Sequence, residues 1–281
     1  MKREDLILEL AAWGFDENPE RPVTLMHRSQ VCREQDLALR PAWDSRTAVI
    51  EDIPTDVQKA LSRIALRDDL QTEFHDLDWR LGVVDLRRLA SFQRRLKLRD
   101  QVVEHRKSAD WERRIDLAFP ANRSSSFDQK LHRNSLTLRS ENPDFTVRLH
   151  AVSDKAESIG LTIYHGSPFM EVGNYRGRWF LRDGYHRAYR LLQAGIFEGP
   201  AVIIQARTLE ELGANRPWFF PEEVLFSARP PLIADFLCGD LVLRWRRPAQ
   251  RKVICINITE DFEPSCSEEG EEEYEHCNQA R

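Results

Sequence analysis

The segment Trp179–Gly195 reads W-F-L-R-D-G-Y-H-R-A-Y-R-L-L-Q-A-G, an apolar run that ends at Asp-Gly and passes at once into a helical pattern. A strand that turns so sharply into a helix limits the fold more than any other feature of the chain. It calls for a sheet on which the helix packs, and for a glycine where the backbone reverses. The first helical turn carries His186 and Arg187. Cations there oppose the macrodipole, whose N-terminal end is already positive. The arrangement becomes favourable if an anion sits at the turn, because the first backbone N–H groups of a helix have no partner within it.

The flanking sequence extends this unit. Phe145–Leu149, Pro168–Val172 and Gly177–Leu181 have strand character, the last two joined by G-N-Y-R-G. The helix from Tyr185 ends before Gly195, in the C′ position, and Pro200–Ala206 is an apolar run of strand length. Strand, strand, helix, strand predicts an α/β (α+β) domain built on a mixed sheet. Short helices are expected near Pro221–Phe226 and Pro231–Leu237, and a terminal strand pair at Leu241–Trp245 and Lys252–Ile258.

Upstream, the pattern predicts a mostly helical region over residues 1–135. Residues 4–13 read as a helix stopping at Gly14, and 22–27 as a weak strand. Thr55 to Gln58 has capping-box spacing before Val57, Leu61 and Ile64 on one face. After Asp85, a core stripe of Leu86, Leu89, Ala90, Gln93 and Leu96 leaves Arg87, Arg88, Arg94, Arg95 and Lys97 on an outer face, which reads as a solvated amphipathic helix or a phosphate-contacting one. Residues 120–143 lose periodicity and read as a linker. The domain reading is therefore 1–135, then 136–259 as the phosphate-binding domain with its strand pair, then 260–281 as a disordered acidic tail. From Glu260 to Arg281 the chain carries nine acids and one base, against a net charge of −5 for the whole, so the body is mildly basic. Such a tail is too acidic and too poor in apolar residues to fold.

Five scattered cysteines without a C-x-x-C pair argue against a disulfide framework and against a structural zinc site. No apolar run is long enough to span a bilayer, and the acid-interrupted N-terminus is not a signal peptide, so no membrane partner and a cytoplasmic location are expected.

Asp183-Gly184-Tyr185-His186-Arg187, preceded by R-G-R-W-F-L-R and S-P-F-M-E-V and followed by the helix, Gly195 and P-A-V-I-I, resembles the ParB/sulfiredoxin superfamily across residues 145–207. Its members carry Gly-Glu-Arg-Arg in partition proteins, Gly-Gly-Cys-His-Arg in sulfiredoxins and Asp-Gly-His-His-Arg in ParB-like proteins that include free-serine kinases. The resemblance implies nucleotide-phosphate binding through Gly184, Tyr185, His186 and Arg187, with Arg190 and Arg182 adding charge. It implies CTP, ATP or ADP with magnesium as cofactor, and a phosphotransferase or NTPase as the activity. Glu171, on the preceding strand, takes the place of the family's upstream base. Tyr185 stands where sulfiredoxins have their catalytic cysteine, which removes sulfinic-acid reduction. Asp183 is either the helix N-cap or, in a metal-assisted site, a magnesium ligand or catalytic base. Two other readings stand beside these. One is a nucleic-acid module contacting phosphates through the helix Arg87–Arg95 and the Arg176–Arg190 cluster. The other is an adaptor that keeps the fold without a ligand, Asp183 capping and His186 and Arg187 exposed or paired locally.

Overall fold

A computed structural model describes residues 3–17, 21, 34–98, 110–121, 127–142, 145–153 and 156–261. The strand expected at 22–27 and all but the first two residues of the acidic tail lie outside the described residues. The chain divides into two compact units, Met1–Ser125 with His165–Gln250, and Ser126–Tyr164 with Arg251–Arg281. The boundary expected near residue 135 therefore falls inside the second unit. Buried described residues between Leu8 and Phe119 share one core with Phe180, Leu181, Tyr185 and Ala188 of the strand–turn–helix segment.

The larger unit is a mixed α+β fold. Its six-stranded sheet has the order β2-β3-β12-β10-β11-β4, with β2 Val49–Ile50, β3 Trp79–Asp85, β4 Ala90–Ser91, β10 Glu171–Tyr175, β11 Arg178–Asp183 and β12 Glu198–Gln205. The hairpin β10–β11 is antiparallel, β12 runs parallel to β10, and β4 runs parallel to β11. Helix α4, Tyr185–Gln193, carries the chain from β11 to β12 and buries Tyr185, Ala188, Tyr189, Leu191 and Leu192. It stops as expected at Gly195, which takes φ +75°. The Gly195 N–H donates to the Leu192 carbonyl and the Ile196 N–H to the Leu191 carbonyl, capping the last turn.

Before these elements, helices α1 (Thr55–Ile64), α2 (Asp68–Glu73) and α3 (Trp111–Ala118) precede or follow the first strands of the sheet. Helix α1 buries Val57 and Leu61 as the spacing predicted, but it starts on Pro54 without a side-chain cap. The segment read as a helix at 4–13 is a strand, β1 Glu4–Leu10, followed by a 3-10 turn, Ala11–Trp13. It lies between β13 (Val242–Pro248) and β5 (Arg95–Leu98) in a three-stranded sheet. The strand is buried on both faces, with Asp5 and Glu9 buried beside Leu8 and Leu10, so no apolar–polar alternation marks it. Leu8 and Leu10 enter the main core, while Ile7 packs with Trp245 and Leu243 in a smaller cluster.

Tertiary partners also override the helix expected after Asp85. The Asp85 carboxylate accepts the Arg87 N–H, but the turn it caps is one 3-10 turn, Leu86–Arg88. The backbone then extends: the Ser91 N–H donates to the Pro231 carbonyl, Ala90 and Ser91 pair with β11, and Arg95–Leu98 pairs with β1. The apolar positions were read correctly, since Leu86, Leu89, Ala90 and Leu96 are all buried. The period assigned to them was wrong.

The smaller unit holds β6 (Asp128–His132), β7 (Ser135–Ser140) and β14 (Lys252–Asn257) in the order β14-β7-β6, together with a ribbon of β8 (Thr146–Ser153) and β9 (Ala156–Tyr164). The stretch read as a linker at 120–143 thus contains the hairpin β6–β7. The expected terminal strand pair does not form, because β13 pairs with β1 and β14 with β7. The two short helices expected near Pro221–Phe226 and Pro231–Leu237 form in shorter versions, as a helical turn at Glu222–Leu225 and a 3-10 segment at Ile233–Leu237. No helix among the described residues is long and apolar enough to cross a membrane.

Candidate functional site

Gly184 is the N-cap of α4, with φ +90° and ψ +21°. An L side chain is strained in that conformation, and a Cβ there would lie 3.2 Å from the Met170 Cα and 3.3 Å from the Arg187 Nε. Asp183 is consequently not the N-cap. It is the last residue of β11, and its Oδ1 accepts the N–H of Gly184, immediately next in the chain. The helix begins with no acid in its first turn.

Each residue of the turn has a defined environment. The Tyr185 ring is buried against Phe92, 6.0 Å between centroids, and its hydroxyl accepts the Gln93 N–H at 3.4 Å. Burial pushes its hydroxyl pKa well above the usual value. Tyr185 is therefore a packing residue and does not face a ligand. The aromatic run after Pro217 joins it from behind: Phe219 stacks on Phe92 at 4.9 Å and Phe220 is buried in the core. Arg187 turns its fork inward. Nη2 donates to the Phe169 carbonyl at 2.7 Å, Nη1 donates to the Pro168 carbonyl, and Asp183 lies 3.8 Å away. The guanidinium expected to grip phosphate instead holds the loop that leads into β10.

His186 and Arg190 remain at the surface. The His186 Nε2 is 2.5 Å from the Lys97 carbonyl oxygen. Crowding by protein atoms holds its pKa below the usual 6.5, and Arg190, Lys97 and Arg187 add to that fall. Arg190 has no ion-pair partner among the described residues.

Glu171 sits beside the turn because the β10–β11 register pairs it with Asp183. It is 3% exposed; its Oε2 accepts from Arg182 Nη1 at 2.7 Å, and its Oε1 is buried without a hydrogen-bond partner. Desolvation raises its pKa above the usual 4.5, outweighing the neighbouring Arg182, Ser167 and Arg187, while Glu73 adds to the rise. A buried carboxyl whose pKa is raised by desolvation beside cations has the property of a proton-exchanging group.

The structure thus brings together Glu171, Arg182, Asp183, Gly184, His186, Arg187 and Arg190. The other two arginines of the expected cationic face lie elsewhere. Arg176 pairs with Glu222, and Arg178 donates to the carbonyls of Leu225, Phe226 and Ser227 at 2.8–3.0 Å. The basic helix Arg87–Arg95 does not exist as a surface. Arg87 pairs with Asp85, Arg95 with Glu9 and Asp16, and Arg94 is buried, donating to the Phe219 and Gly14 carbonyls. Asp183 Oδ1 accepts the Gly184 N–H, and no group of three His, Cys, Asp or Glu that could hold a metal ion occurs among the described residues.

Sequence reading missed one charged cluster. Glu9, 1% exposed, accepts from Arg21 Nε at 2.9 Å, Arg95 Nε at 3.1 Å and Trp245 Nε1 at 3.0 Å. A buried charge needs such partners, yet Trp245 lies 236 residues away along the chain. Nothing local announces it.

Compared with known proteins, the chain matches no family model, no curated protein and no solved structure. The likeness of the turn rests on its own residues.

Proposed function

We propose that the larger unit binds the phosphate groups of a nucleotide at the β11–α4 turn, with Glu171 as the proton-accepting group of a phosphotransferase or NTPase. The observation that carries this reading is Glu171, a buried carboxyl with one unpartnered oxygen, in register with Asp183 at the start of a helix whose first turn has cations and no acid. Helix N-terminal N–H groups, His186 and Arg190 supply attraction for phosphate, and Arg187 keeps the Pro168–Phe169 loop in place. Phosphoryl transfer depends mainly on positioning and charge stabilisation, so few side chains are needed. CTP, ATP and ADP all share the group recognised.

Thermal shift with each nucleotide at millimolar concentration tests the reading. A bound phosphate raises the melting temperature, and the rise is lost in the double variant His186→Ala/Arg190→Ala. It also raises the His186 pKa, read by NMR titration, because an anion stabilises the imidazolium. No thermal response to any nucleotide, or a response retained in the double variant, rejects it. A scaffold role for the motif then stands in its place, favoured by one observation: Arg187 and His186 both contact backbone carbonyls.

A further inference from the structure

A second cation-rich region lies in the same unit, away from the turn. A cavity of about 450 Å³ opens between the 37–46 segment, the Asp85–Arg88 turn and residues 229–232. That volume is in the range of small-molecule sites. Five arginines line it: Arg40, Arg46, Arg87, Arg88 and Arg229. Among the described residues their ion-pair partners are Asp44, Asp85 and Asp235, five guanidinium groups against three carboxylates, with Glu198 adding attraction at Arg87.

The excess is localised. Arg40 is paired with the buried Asp235, Arg46 with Asp44, and Arg87 with Asp85. Arg88 reaches Asp44 and Asp85 only at 3.5 and 3.6 Å. Among the described residues Arg229 has no acid partner; its Nε donates to the Arg40 carbonyl at 2.6 Å and its two terminal nitrogens make no hydrogen bond there. The wall around it is rigidly tied. The Trp13 Nε1 donates to the Arg229 carbonyl at 2.7 Å, and the Trp43 N–H donates to the Ala228 carbonyl at 2.7 Å. Trp43 also lines the cavity, with the prolines at 41 and 230, and the Arg178 guanidinium lies over its indole at 5.2 Å from the ring centroid.

We propose that this cavity binds a small organic anion, a carboxylate or phosphate carried on a flat apolar group, with Arg229 and Arg88 taking the anion and Trp43 the apolar part. A guanidinium with both terminal nitrogens available suits the two oxygens of either anion. The aromatic wall adds apolar contact that an inorganic ion cannot make.

Isothermal titration of the full chain with phenyl phosphate, benzoate and inorganic phosphate tests this directly. Saturable binding of either aryl anion is expected, at least tenfold tighter than inorganic phosphate. Whichever aryl anion binds more tightly identifies the headgroup. Arg229→Ala and Arg88→Ala should each weaken it tenfold or more, with Arg229→Lys losing less than Arg229→Ala. Circular dichroism on each variant confirms that the fold is retained. Arg190→Ala should leave the affinity unchanged, which separates this site from the β11–α4 turn. No saturable aryl binding at millimolar concentration overturns the proposal. So does affinity equal to that of inorganic phosphate, or affinity unaltered in a folded Arg229→Ala and Arg88→Ala.

Discussion

Arg187 and Arg229 both belong to cation-rich patches, and their environments are opposite. Arg187 donates to two backbone carbonyls and lies near a carboxylate. Among the described residues Arg229 donates only through Nε, and both terminal nitrogens are clear of any partner. One sits in a motif that stands out in the sequence; the other sits in a stretch, S-A-R-P-P, with no motif at all. The contrast teaches that a positive residue is not the same as an available positive charge. Availability depends on which carbonyls and carboxylates the fold brings within reach.

The largest effect should follow from removing the inward-facing arginine. Arg187→Ala leaves the Pro168 and Phe169 carbonyls without their donor in a half-buried site, and should lower stability by about 2–4 kcal/mol in chemical denaturation. Arg187→Lys should recover little, because one ammonium does not span two carbonyls as the planar fork does. A loss below about 1 kcal/mol would show that Arg187 is not the holding element, and would return it to the phosphate site.

Gly184→Ala comes next. The +90° φ and the 3.2 Å approach to Met170 should cost about 1–2 kcal/mol, read as a fall in melting temperature. An unchanged midpoint would mean that the turn relaxes freely.

Glu171→Gln tests a slope more than a midpoint. The folded carboxyl holds its proton above pH 4.5, where the unfolded chain has released it. Wild-type stability therefore falls as pH rises through 4.5, until the folded-state pKa is passed. Gln cannot ionise, so that decline should flatten in the variant. His186 acts in the other direction: its depressed pKa means that stability falls as pH drops below 6.5, and His186→Gln should remove that acid-side loss. Parallel pH profiles for wild type and variants would overturn both assignments.

The smallest effect is expected in the other unit. Leu131 on β6 is 78% exposed, and Leu131→Thr should change stability by no more than about 0.5 kcal/mol. A larger loss would reveal a covered face.

Much of the segment 168–206 was legible in the sequence, because its signals are local. Asp-Gly marks the turn, Gly195 ends the helix, and the apolar residues of α4 repeat at helical spacing. The residues before 100 were harder to read for a definite reason. A strand buried on both faces, such as Glu4–Leu10, shows no alternation, and Leu86 to Leu96 meets helical spacing while its backbone is extended by Pro231, β11 and β1. The C-terminal strands were found, but their partners were not, since β13 and β14 join strands more than a hundred residues upstream.

The sequence by itself determined the left-handed glycine, the sharp start of α4 and the cations of its first turn, because backbone sterics and helix geometry act over a few residues. Only the tertiary structure decided which cations stay available. Arg187 meets carbonyls 18 and 19 residues away and Arg229 meets the Arg40 carbonyl 189 residues away. Hydrogen bonding and desolvation depend on distance in space, and no local pattern in the chain encodes that distance.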